Sequence, residues 1–166
     1  MPETDDNWEL APESGHPRAR QLLTEPFFWS IADDGAPLGN DTGADTLAFY
    51  REWRADHPNG STQEFVRDIL AGWEVENADW LLLDEALLGE ALEDDHFSVL
   101  TRDDFMIALA FAQLVLDGKV DSQVREMALY SLRRQATDVV IAFRGWTEVE
   151  ERLTRLAQMQ TALEAT

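Results

Sequence analysis

The sequence predicts an all-α fold, a single helical bundle of about six or seven helices. Three observations lead there. Apolar residues recur at the helical period in segment after segment, while strand alternation is weak throughout. Helix start and stop signals punctuate the chain. The stretch from Phe105 to Leu116 is apolar except for Gln113. It falls short of the ~20 residues that span a bilayer, so it reads as a helix buried on all sides. A chain of 166 residues is the size of one domain and can hold its own core.

Residues 1–15 are polar and carry two prolines and a glycine, which predicts a flexible acidic tail ahead of one domain over 16–166. His16-Pro17 then opens a short helix, with the proline in the first turn. Pro26 ends it, and Phe27, Phe28, Trp29 and Ile31 form an apolar knot expected in the core. A glycine- and aspartate-rich loop over 33–43 leads into a helix from about Thr42 to Asp56, closed by His57-Pro58-Asn59-Gly60. Ser61-Thr62-Gln63-Glu64 has the form of a capping box before a helix that ends near Gly72. Trp80 to Leu92 is ambiguous: Leu81-Leu82-Leu83 fits a short strand, but Leu83, Leu87, Leu88 and Leu92 fit a helix better. Thr101-Arg102-Asp103-Asp104 is expected to cap the apolar helix, and Gly118 to stop it. Asp121 opens the next helix, with Val124, Met127, Ala128 and Leu132 inside. Residues 138–144 are short and β-branched and fit either helix or strand. Thr147-Glu148-Val149-Glu150 has the form of another capping box. The last helix then places Val149, Leu153, Leu156 and Leu163 inside and Glu148–Arg152 and Glu151–Arg155 outside.

Charge is the dominant compositional feature. There are 33 acids and 13 bases, a net charge of −20. The excess is concentrated between Arg67 and Arg102, where no base occurs. Such a chain is repelled by nucleic acid and by anionic membranes, and attracts basic protein surfaces. The absence of cysteine removes disulfides and thiolate metal sites, and the acidic N-terminus has no apolar run behind it, which together read as cytoplasmic. Nothing in the pattern calls for a cofactor.

Two segments hold candidate site residues. In the first, Asn40 or Asp41 caps the following helix and Asp45 complements its positive end. The same segment offers weak metal candidates in Asp33, Asp34, Asp41 and Asp45, although the spacing does not match a calcium-binding loop. In the second, Asp84, Glu85, Glu90, Glu93, Asp94 and Asp95 form an acidic strip, either a solvated face or a docking strip for a basic partner. Glu90-Ala91-Leu92-Glu93 has the E-x-x-E form found in all-α magnesium enzymes, but no E-x-x-D follows. His16, His57 and His96 are dispersed, and there is no phosphate-binding glycine loop and no nucleophile elbow. The tryptophans read as core residues.

His16-Pro17-Arg18-Ala19-Arg20, Pro26-Phe27-Phe28-Trp29 and the run Gly39-Asn40-Asp41-Thr42-Gly43-Ala44-Asp45-Thr46-Leu47 together resemble the YfeS-like family of small bacterial proteins. The region from Ala128 to Arg152 is compatible with that family. The resemblance implies an all-α bacterial cytosolic protein, and it carries over no catalytic residues. The leading functional expectation is therefore a non-catalytic protein-binding or regulatory module of immunity or inhibitor type. The alternatives are a metal-dependent enzyme using Asp41 and Asp45, and a DNA mimic.

Overall fold

The computed structural model describes residues 7–76 and 79–166. Among them are seven α-helices and no strand: α1 (Pro17–Leu22), α2 (Asp41–Asp56), α3 (Thr62–Gly72), α4 (Glu85–Asp117), α5 (Ser122–Gln135), α6 (Asp138–Arg144) and α7 (Val149–Glu164). The expected all-α bundle is what the chain forms, and residues 138–144 settle as a helix.

Helix α4 is the axis of the molecule. Every residue from Phe105 to Val115 is buried, and α1, α2, α5 and α6 all pack on α4, with α6 against its first half through Val140. Helix α7 packs on α5. Helix α3 is fastened by Phe65, whose ring lies 5.4 Å from Tyr50, 5.3 Å from Trp53 and 6.1 Å from Phe105. Gly118 ends α4 at φ 72°, and its N–H donates to Leu114 O at 2.9 Å. Glycine is required there twice over. The left-handed backbone disfavours a side chain, and a Cβ would lie 2.3 Å from the His16 ring.

Helix α4 is interrupted once. Asp95 has φ −153° and ψ 75°, and its Oδ1 accepts from Ser98 N at 3.1 Å. Asp95 thus caps the core part of α4 from inside the element, as an N-cap residue would at a free end. The residues before it form an arm with its own small core of Leu88, Leu92, Val99 and Val140.

Several local expectations are corrected. The expected tail reaches too far along the chain: residues 1–6 lie outside the described residues, but Leu10 is buried in the main core and Trp8 packs on it. Apolar side chains among polar neighbours had masked this docking. Thr101–Asp104 caps nothing, since α4 runs through it. Ser61 makes no cap bond, and its Oγ donates to Gln63 Oε1 at 3.1 Å. Thr147 is not a cap either, because α7 begins one residue later than a capping box there requires. The 80–92 helix begins only at Glu85, with Asp84 Oδ1 accepting from Leu87 N at 3.0 Å. On α7 the face is rotated: Arg152 is buried, while Val149 and Leu153 stand 38% and 39% exposed.

An acidic arm and an arginine-lined cleft

The loop that leads into α2 folds as a capped helix entry. Asn40 Oδ1 accepts from Gly43 N at 2.7 Å, and Asn40 Nδ2 donates to Ala36 O at 3.4 Å. Gly39 and Gly43 lie so close to neighbouring backbone that a Cβ would meet Asp33 O at 2.4 Å and Pro37 O at 2.5 Å respectively. Asp41 and Asp45 are exposed in the first turns of α2, where a negative charge complements the helix dipole. Asp34 is also exposed. Asp33 is committed elsewhere: its Oδ2 accepts from Arg155 Nη1 at 2.6 Å and its Oδ1 from Gly35 N at 2.9 Å. Burial alone would raise the Asp33 carboxyl, yet the Gly35 N–H and the Arg155 guanidinium hold it below the usual carboxylate range. The four aspartates are not brought together, and among the described residues no group of three His, Asp or Glu is placed to hold a metal ion.

The residues of the acidic strip are exposed along most of its length. Glu85, Glu90, Glu93 and Asp94 are exposed on the α4 arm, and Asp84 and Asp95 sit at its two capping positions. Glu90, Glu93 and Asp94 follow i, i+3, i+4 spacing and share one face. Leu87 on the arm, Leu81 before it and Phe97 after its end are also exposed, at 53%, 51% and 55%. The base of the arm is pinned from inside. Arg134, fully buried, donates to Trp80 O at 2.5 Å and Leu82 O at 3.3 Å while holding Asp103 Oδ1 at 2.8 Å. Gln135 Nε2 donates to the other Asp103 oxygen at 2.9 Å. One buried, bidentate pair therefore joins α4, α5 and the turn before the arm.

A second polar region lies where the 33–35 loop meets the start of α7. A cleft of about 270 Å³ is lined by Asp33, Gly35, Trp146, Thr147, Glu148, Glu151, Arg152 and Arg155. Arg152 is only 7% exposed, its Nη1 donates to Gly35 O at 3.1 Å, and its guanidinium lies 4.5 Å from the Trp146 ring centre. Burial, reinforced by the nearby Arg144 charge, pulls Arg152 down to about 10. Arg152 Nε and Trp146 Nε1 are buried without a hydrogen-bond partner. Each such donor costs about 1–3 kcal/mol when left unpaired. Arg155 is shared by Asp33 and by Glu151 at 3.2 Å. Behind the cleft, burial raises the Asp104 carboxyl although Arg144 stands 2.9 Å away.

Sequence reasoning missed Arg134, Arg144 and Arg152. The available signal was Arg152 at i, i+4 from Leu156 and i, i+7 from Met159, on the apolar stripe of α7.

The chain is 25% identical to the uncharacterised protein YfeS of Escherichia coli (strain K12) over 132 residues, 78% of this chain. The chain is YfeS-like. It spans about half the length of that relative, 54%. No family model matches the chain, and no solved structure matches it. No helix among the described residues is long and apolar enough to cross a membrane.

Proposed function

We propose that the protein is a non-catalytic protein-binding module and that its α4 arm docks a basic surface of a partner protein. The observation that carries this reading is the occurrence, on the arm and at its two ends, of exposed carboxylates and exposed large apolar side chains. Glu85, Glu90, Glu93 and Asp94 are exposed on the arm together with Leu87; Leu81 and Phe97 are exposed just before and just after it, and no base occurs between Arg67 and Arg102. Carboxylates steer a basic surface during encounter and set specificity, while desolvated apolar anchors supply most of the affinity. The buried Asp103–Arg134 pair supports the reading too, because it holds the start of the arm at Trp80 and Leu82 in one position. An immunity or inhibitor protein that neutralises a basic enzyme is one form of this activity.

The test is affinity capture at low and high salt with the wild-type chain and with the Glu90→Lys, Glu93→Lys, Asp94→Lys triple variant. The wild type is expected to retain a partner at low salt and release it as ionic strength rises, with the triple variant retaining none. Equal retention by both proteins would sink the proposal. So would a partner without basic surface, or no partner at low salt.

A further inference from the structure

The cleft at the start of α7 has a charge pattern that its own side chains leave incomplete. Arg155 is satisfied internally, between Asp33 at 2.6 Å and Glu151 at 3.2 Å. Arg152 is not. It is more than nine-tenths buried, lines the cleft, and has one hydrogen-bond acceptor among the described residues, Gly35 O at 3.1 Å. Glu148 is the complementary group. It occupies the N-cap position of α7 without making a side-chain cap bond, and it enters no ion pair among the described residues. The helical spacing of Glu148 and Arg152 is that of an i, i+4 pair, yet the two side chains stay apart and line the same cleft. Trp146 adds an indole wall, with its Nε1 buried and unpartnered, and Thr147 adds a hydroxyl.

We propose that this cleft binds a small zwitterion, a ligand with a carboxylate for Arg152 and an ammonium for Glu148, the chemistry of a free α-amino acid. The balance of charges selects this class. A dianion such as phosphate would face Asp33, Glu148 and Glu151 with one uncommitted arginine to hold it. A simple cation would face Arg152. A ligand carrying both charges satisfies both free groups. The volume of about 270 Å³ suits it, since a cavity of about 150 Å³ already admits a molecule the size of benzene.

The experiment is an NMR titration of the full chain, following the Trp146 indole N–H after assignment with Trp146→Phe. The probes are the individual α-amino acids, with acetate, methylammonium and inorganic phosphate as single-function controls. At least one amino acid is expected to shift the Trp146 resonance saturably in the millimolar range or below, with each control binding roughly tenfold or more weakly. Arg152→Gln and Glu148→Gln are each expected to weaken the amino acid about tenfold or more. Glu148 is exposed, so Glu148→Gln keeps the fold and decides the matter if Arg152→Gln does not. The inference is overturned if no amino acid moves the resonance at tens of millimolar. It is equally overturned if acetate or phosphate binds as well as the amino acids, or if Glu148→Gln leaves binding unchanged.

Discussion

Asn40 holds the first turn of α2 through a single 2.7 Å hydrogen bond to Gly43 N. Asn40→Ala is expected to cost about 1 kcal/mol, read by urea denaturation, whereas Asp41→Ala and Asp45→Ala, both at exposed sites, stay within about 0.5 kcal/mol. The capping reading of this loop gave either Asn40 or Asp41, and the side-chain bond decides for Asn40. Asp103 sits at the other extreme. Both it and Arg134 are fully buried, so Asp103→Ala strands a charge in the interior and is expected to cost about 3–5 kcal/mol, measured the same way. Asp33 makes a pH prediction. Its folded carboxyl lies below its unfolded value, chiefly through Gly35 and Arg155 acting against burial. Its contribution is therefore present above the unfolded value of 3.8 and is lost as pH falls through the lower folded value. Asp33→Asn should flatten the stability profile below about pH 4, while acid titrations of the two proteins that run parallel there would contradict this.

At the scale of elements, α4 behaves as two helices joined at Asp95. The core part belongs to the main core with residues of α1, α2, α5 and α7, while the arm packs through Leu88 and Leu92 on Val99 and on Val140 of α6. A segment with few buried apolar contacts opens more easily than the centre of the core. Hydrogen exchange is expected to be faster for amides 85–94 than for 105–115, and Val140→Ala should speed the arm further while leaving 105–115 protected. Uniform exchange along α4 would contradict the division. The break at Asp95 was not legible in the sequence, where Thr101-Arg102-Asp103-Asp104 offered a more conventional capping pattern. Ser61 does stand at the start of α3, but its hydroxyl turns to Gln63, whereas Thr101 lies inside α4 and Thr147 one residue ahead of the α7 N-cap. A cap exists only where the chain actually turns into the helix, and tertiary packing chooses that place.

For the molecule as a whole, net charge sets the balance. At −20 the folded chain repels itself, and salt screens that repulsion over about 10 Å at 0.1 M. The melting temperature is expected to rise between low salt and about 0.3 M sodium chloride by calorimetry. A fall would mean that ion pairs such as Arg144–Asp104 and Arg155–Asp33 outweigh the global repulsion. The charge is unevenly placed. The arm has carboxylates alone, while Arg144, Arg152 and Arg155 gather around the start of α7. The proposed partner surface and the proposed small-ligand cleft thus share no residues.

The helical period, the stop at Gly118, the buried run from Phe105 to Val115 and the acidic excess between Arg67 and Arg102 could all be read along the chain. Each depends on neighbours within a few turns or on counting charges. The joining of Arg134 to Asp103 and Trp80, of Arg155 to Asp33, and of Arg152 to Gly35 could not. Those partners are 31, 54, 122 and 117 positions apart. Which of these three arginines meets which acceptor is decided by the packing of one helix on another, since burying a charge is costly unless a partner meets it and these partners come from distant parts of the chain.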